Sequence, residues 1–244
     1  MATVPPTSLT PDAIPSDVEY PGSDGRPVAE TPVHYKNLTT IADILRRRFA
    51  DDPMTYVGAN MLLYYVRGEP RKRVAPDVFV AFGAPRDKQR RTYRVWEEDG
   101  KVPDLVVEFS SRSTKNEDQV KKLRIYRDRL GVREYFLFDP IAEYLDPPLQ
   151  GHRLRSGKYA PIKPIARRLP SEVLGLHFEV AGEDLRLYDP TTGEWLPTAE
   201  EARLQEREGR LKEREARLTA EKRALEAEVE VERLRRELKA RRGT

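Results

Sequence analysis

Two short stretches of the chain set a proline and an aspartate at the start of an apolar run. Pro76-Asp77 precedes Val78-Phe79-Val80, and Pro103-Asp104 precedes Leu105-Val106-Val107-Glu108-Phe109-Ser110. Side chains alternate along an extended chain, so Asp104, Val106, Glu108 and Ser110 share one face and Leu105, Val107 and Phe109 the other. Glu108 therefore stands inside an apolar strand, where a carboxylate is costly unless it is paired or binds a metal. Two acidic residues from neighbouring strands can converge on one divalent cation through hard oxygen ligands. The structural alternative makes the Pro-Asp pairs turn devices and places Glu108 at a solvated edge. Lys122 is the third group. It lies four residues before Tyr126 in what reads as a helix, so the two share a face. Lys121 is turned away by about 100°. A lysine at the mouth of a carboxylate pair can steady charge on a phosphate oxygen or orient a water. The alternative for Lys122 is an i,i+4 ion pair with Asp118.

Composition narrows the chemistry. The 244 residues contain no Cys and three His (His34, His152, His177). Disulfides, thiolate zinc sites, thiol catalysis and iron–sulfur clusters are thereby excluded. A metal held by what remains is held by carboxylates, which favours Mg²⁺ or Mn²⁺. With 44 Lys+Arg against 41 Asp+Glu the net charge is +3, so the whole-chain field neither demands nor excludes nucleic acid. No apolar run reaches the roughly 20 residues of a membrane span, and no leader pattern opens the chain. The expectation is a cytoplasmic protein with no membrane partner. Phosphate-binding glycine loops and a Gly-x-Ser-x-Gly elbow are absent.

Three regions differ in composition. Residues 1–32 hold seven of the 20 prolines and no apolar periodicity, which reads as a flexible arm. Residues 33–198 carry most of the aliphatic and aromatic content. Within them the spacing predicts a helix over 34–50, a strand or bent strand pair over 55–65, and strands over 78–82 and 105–109. A helix follows over 116–130, with Val120, Leu123, Tyr126 and Leu130 on one stripe and Gly131 as its C-cap. A strand over 134–138 and hairpins around 151–162 and 176–187 complete the series. Residues 199–244 have 14 Lys+Arg, 12 Asp+Glu, no proline and no aromatic residue. Leu204, Leu211, Leu218 and Leu225 recur every seventh residue. That pattern predicts a helix, with a coiled coil and a solvated, ion-paired helix as its two readings.

Basic residues flank the carboxylates. Arg71-Lys72-Arg73 precedes Asp77, and Arg86, Lys88, Arg90, Arg91 and Arg94 lie between Asp77 and Glu108. They read either as phosphate contacts or as a solvated charged loop.

Taken together, Pro76-Asp77-Val-Phe-Val, Pro103-Asp104-Leu-Val-Val-Glu108-Phe-Ser-Ser-Arg-Ser-Thr, Lys122-x-x-x-Tyr126 and Leu130-Gly-Val-Arg-Glu-Tyr-Phe-Leu-Phe-Asp139-Pro resemble the Uma2 family over roughly residues 20–165. That family is placed among the restriction-endonuclease-like proteins of the PD-(D/E)XK nuclease superfamily. The resemblance implies an α/β fold, a three-layer core about a central mixed sheet. It implies Mg²⁺- or Mn²⁺-dependent hydrolysis of phosphodiesters, with DNA as the expected partner. By the same resemblance Asp77 and Glu108 are the metal ligands; Asp104, which shares the strand face of Glu108, is a second-tier ligand. Ser110 stands where the superfamily usually has its lysine, so the catalytic lysine falls to Lys122. Glu30 and His34 lie near the first helix, where another acid sometimes sits; His34 itself reads as packing or capping. A dimer, formed through the nuclease domain or the C-terminal helix, suits double-strand cleavage. The alternative is a non-catalytic binding or scaffold module on the same fold.

Overall fold

The protein's structure, a computed structural model, describes residues 18–22, 31–110 and 117–242, with side chains of 117–119 and 237–242 excepted. Most of the proline-rich arm, Glu30, Ser111, Ser113 and the Asp118 side chain lie outside the described residues. The chain divides into two compact units, Met1–Leu196 and Pro197–Thr244.

Helix α1 runs Pro32–Arg48, two residues ahead of the predicted start. Thr31 caps it, its hydroxyl accepting the His34 N–H at 3.2 Å, and Pro32 takes the first-turn position where a missing N–H has no consequence. Its apolar face, Leu38, Ile41, Ile44 and Leu45, is fully buried against the sheet.

The predicted strand over 55–65 is two strands, β1 (Thr55–Ala59) and β2 (Leu63–Tyr64), which belong to different sheets. Asn60 makes the break with φ 45°, a left-handed turn that Asn tolerates. Next come β3 (Arg73–Val74), β4 (Val78–Phe82), β5 (Tyr93–Arg94), β6 (Leu105–Phe109) and β7 (Glu134–Phe138). Then follow β8 (Leu149–Arg155), β9 (Lys158–Pro161), β10 (Leu169–Ser171), β11 (Leu176–Ala181), β12 (Asp184–Asp189) and β13 (Glu194–Trp195). The central sheet is ordered β1-β4-β6-β7-β8-β9 and is mixed, with β6 and β7 parallel and the other pairs antiparallel. The second sheet, β10-β11-β12-β13, is antiparallel; the small third sheet is ordered β3-β2-β5.

The protein is thus mixed α/β, layered about a central sheet. Alternation sorts the two cores. Val78, Val80, Leu105, Val107 and Phe109 face α1 and the second sheet, while Phe79, Ala81, Val106 and Tyr135 face Tyr126, Leu130 and the small sheet. Gly58 pairs with Phe79 across β1 and β4, and a Cβ at Gly58 would overlap the Phe79 ring. Gly58→Ala should therefore destabilise the fold by about 1–3 kcal/mol, measurable by denaturant unfolding.

The helix predicted over 116–130 departs from α geometry. Glu117–Lys122 and Ile125–Leu130 are π-helical, and Gly131 closes the second segment at φ 66° as the sequence suggests. With i→i+5 hydrogen bonds and roughly four residues per turn, this winding aligns residues spaced by four. Lys122, Tyr126 and Leu130 line up as a result. Val120, predicted on the core stripe, is instead 49 % exposed.

The second unit is helix α2, Ala199–Arg242. Thr198 and Glu201 form a reciprocal capping box, with Thr198 N–H donating to Glu201 Oε2 at 2.7 Å and Glu201 N–H to Thr198 Oγ1 at 3.3 Å. Ion pairs such as Arg217–Glu221 at 2.9 Å and Glu232–Arg236 at 3.3 Å run along it. Leu204, Leu211, Leu218 and Leu225 are each more than half exposed. Among the described residues no helix is long and apolar enough to cross a membrane.

Candidate functional site

The antiparallel register of β4 and β6 pairs Val78 with Val107, and one step further sets Asp77 beside Glu108. Their proximity is a consequence of sheet pairing: Asp77 sits at the edge of its apolar run and Glu108 inside its own. The Phe109 N–H donates to Asp77 Oδ2 at 2.8 Å, and the Asp77 N–H approaches Glu108 Oε2 at 3.4 Å. Each strand's backbone therefore steadies the other's carboxylate.

Glu108 is fully buried. Two side chains from the π-helical segments meet its carboxylate: Lys122 Nζ donates to Oε2 at 2.8 Å and the Tyr126 hydroxyl to Oε1 at 2.6 Å. Burying the charge is tolerated because both oxygens are satisfied. Lys122 keeps 12 % exposure, so its ammonium lies at the boundary between core and solvent.

Asp77 keeps 14 % side-chain exposure. His34 Nε2, reaching over from the first turn of α1, lies 3.4 Å from its Oδ2, and the imidazole packs on the Phe109 ring at 5.8 Å. Burial alone would push the Asp77 carboxyl up. The His34 imidazole, the Lys122 ammonium and the Phe109 N–H outweigh it and hold the group below the usual carboxylate range. Asp77 is thus ionised at neutral pH, and its Oδ1 has no hydrogen bond among the described residues.

His34 and Tyr126 were read from sequence as packing residues. The structure sets His34 against one carboxylate and the Tyr126 hydroxyl against the other. The four-residue spacing of Lys122 and Tyr126 carried a signal for the second. For His34 the sequence had none, because its partner is 43 positions away. Replacing His34 with Leu should raise the Asp77 pKa, since it removes two of the influences that lower it; carboxyl titration by NMR measures the shift.

Asp104 does not join the site. It shares a strand face with Glu108, but four residues of strand separate them by about 13 Å. Its oxygens are engaged at the other end of β6, accepting the Phe82 N–H at 2.9 Å and lying 3.4 Å from Arg133. Ser110 is buried, and its N–H donates to the Phe138 carbonyl at 2.7 Å.

The basic stretch between the two acids is mostly committed inside the protein. Arg90 and Glu98 form an ion pair at 2.7 Å with side chains 2 % and 1 % exposed, and Lys88 joins Glu98 at 2.8 Å. Arg90 also lies 4.1 Å over the Tyr56 ring. Arg86 pairs with Asp87, and Arg94 with Glu97. Arg91 has no such partner among the described residues.

The donors suit a small, hard divalent cation. Mg²⁺ is commonly bound through one or two carboxylates while keeping several waters, and Asp77 offers an ionised carboxylate with one oxygen unbonded beside Glu108. Among the described residues no group of three or more His, Asp or Glu is placed to hold a metal ion. A cation here would rest on the two carboxylates and water.

A family model described as "Uma2: Putative restriction endonuclease" matches residues 10–183. No curated protein matches the chain. A crystal structure of a "putative nuclease belonging to DUF820" from Anabaena variabilis ATCC 29413 is similar at a TM-score of 0.44 and 12 % identity, over 59 % of this chain and 75 % of that one.

Proposed function

The chain belongs to the Uma2 family, and from that premise we propose that it is a divalent-metal-dependent endonuclease that hydrolyses phosphodiester bonds, with DNA as its substrate. The observation that carries this reading is the cross-strand pair of Asp77 and Glu108 with Lys122 Nζ 2.8 Å from the second carboxylate. Asp77 and Glu108 would hold Mg²⁺ or Mn²⁺. When bound, the cation makes water a better nucleophile and offsets phosphate charge.

The remaining steps belong to the chain's own groups. The Phe109 N–H fixes the orientation of Asp77, and with the His34 imidazole 3.4 Å away helps to keep it ionised. The Tyr126 hydroxyl fixes Glu108 from the opposite side. Lys122 sits at the solvent boundary of the pair, where its ammonium can stabilise charge gathering on the phosphate or orient the attacking water.

The test is cleavage of single-stranded, double-stranded and branched DNA and of RNA by the purified protein with Mg²⁺ or Mn²⁺, beside EDTA controls. Metal-dependent cutting supports the reading. A folded protein that cuts nothing and binds no Mn²⁺ by calorimetry sinks it. That result would leave the alternative, a non-catalytic module on the same fold. The observation favouring the alternative is that both Glu108 oxygens are already occupied by Lys122 and Tyr126, with Ser110 in the usual lysine position.

We further propose that two copies associate through α2, whose exposed Leu204, Leu211, Leu218 and Leu225 lie at heptad spacing. A chain ending at residue 198 should then sediment as a monomer where the full chain is a dimer. Equal association states for the two chains would contradict this.

A further inference from the structure

We propose that a cationic, aromatic-walled pocket apart from the two carboxylates binds an unstacked nucleotide of a single-stranded nucleic-acid segment. This rests on the nuclease reading and specifies how its substrate is held.

The pocket is a cavity of about 660 Å³, a size suited to one nucleotide. It forms where residues 18–22 cross the small sheet. The Gly68 N–H donates to the Tyr20 hydroxyl at 2.7 Å, and the Tyr64 hydroxyl donates to the Pro21 carbonyl at 2.7 Å. Tyr20 packs edge-on against Tyr64 and tilted against Trp96, with centroids 5.1 Å apart in both pairs. The aromatic wall is therefore held in place before any ligand arrives.

Charge in the pocket is unbalanced. Arg67, Arg91 and Arg94 line it, against Glu19 and Glu97. Arg94 is spent on the wall itself, 4.8 Å over the Tyr20 ring and 2.9 Å from Glu97. Arg67 and Arg91 are exposed and have no carboxylate or ring partner among the described residues. This contrasts with Arg90 one residue away, which is buried on Glu98. Two guanidiniums left unpaired in a concavity are suited to a bidentate oxyanion such as phosphate. The Trp96 indole beside them, backed by Tyr20, is suited to stacking with any base, which makes the recognition tolerant of sequence. A duplex keeps its bases stacked inside and could use only the arginines, so the wall favours a single strand.

The chain order ties this pocket to the proposed substrate. Arg67 lies between β1 and Asp77, and Arg91, Arg94 and Trp96 lie between β4 and β6. The two connections that deliver Asp77 and Glu108 to the sheet also build the pocket.

The experiment uses the full chain in EDTA, so that binding is read without cutting. A Trp195→Phe background leaves Trp96 as the sole tryptophan. Oligothymidylate should quench its emission, and a labelled oligothymidylate should bind in anisotropy with an affinity that falls as salt rises. Arg67→Ala and Arg91→Ala each should weaken binding roughly tenfold. Each should also lower the slope of log affinity against log salt by about one. Both residues are exposed, so thermal melts should match the parent. Variants that bind like the parent, or Trp96 emission indifferent to saturating oligonucleotide, would overturn the proposal. So would displacement of the oligonucleotide by polyglutamate at equal charge, which would mark an acidic-peptide site. Metal-dependent cleavage measured in parallel separates the two readings. Binding and quenching without cleavage would retain the pocket and remove the nuclease. Cleavage with variants indistinguishable from the parent would do the reverse.

Discussion

Asp77→Asn protein should lose metal-dependent cleavage by at least about 10²-fold while remaining folded. Asparagine keeps the size of the side chain, and its oxygen can still accept the Phe109 N–H that now bonds Asp77 at 2.8 Å. What disappears is the negative charge. The site is arranged to preserve that charge, since His34, Lys122 and Phe109 together overcome the effect of burial on the Asp77 carboxyl. Glu108→Gln should remove cleavage as well, but less cleanly. It neutralises the buried carboxylate that pairs with Lys122, whose side chain is 12 % exposed, and so adds a stability loss of about 1–3 kcal/mol. A matched pair of melting curves with an activity assay distinguishes the two variants. Asp77→Asn should lose function with a small stability loss, since its carboxyl is held below the usual range in the fold, and Glu108→Gln should lose function with a larger one. Asp77→Asn protein that cuts at the wild-type rate would remove Asp77 from the chemistry.

The second large effect concerns stability and lies away from the carboxylate pair. Glu98→Gln should destabilise the protein by about 3 kcal/mol, because it leaves Arg90 charged and buried with its partner neutralised. At about 2–4 °C per kcal/mol for a chain of this size, melting should fall by roughly 6–12 °C. The pH dependence has a definite sign. Burial pushes the Glu98 carboxyl up, but Arg90 and Lys88 outweigh it and hold the group below its usual value. For a carboxylate with a depressed folded pKa, the stabilisation is complete above the unfolded value, about 4.3. It is lost as pH falls through the lower folded value. Wild type should therefore approach the stability of Glu98→Gln below about pH 4, and the two should separate fully by neutral pH. Parallel unfolding curves at both pH values check this. An undiminished gap in acid would mean that the ion pair is not the cause.

These two clusters also mark how far the amino-acid order could be followed unaided. Alternation within β6 was enough to single out Glu108, because side-chain direction in a strand is a local property, whereas Asp77 was marked by its Pro-Asp pair and by the family resemblance. The four-residue interval from Lys122 to Tyr126 was legible for the same reason: it survives whether the helix winds as α or as π. Val120 was misplaced because the face it occupies depends on the winding itself, which is π and not α over Glu117–Lys122. Gly131 as a helix stop, at positive φ, followed from backbone sterics and was also local.

What the tertiary structure alone decided was pairing across long separations. The register of β4 on β6 brings Asp77 to Glu108, 31 residues away, and α1 carries His34 to Asp77. The same kind of decision sorted the arginines. Arg90 and Arg91 are adjacent and chemically identical in the sequence. One is buried because Glu98 and the Tyr56 ring stand where its side chain points, while the other is left facing a pocket. Sequence alone determined which residues are able to do chemistry and which face of an element each occupies. Which of them meet depended on the fold, because a contact between distant residues is set by the packing of whole elements and by where each buried charge finds its counter-charge.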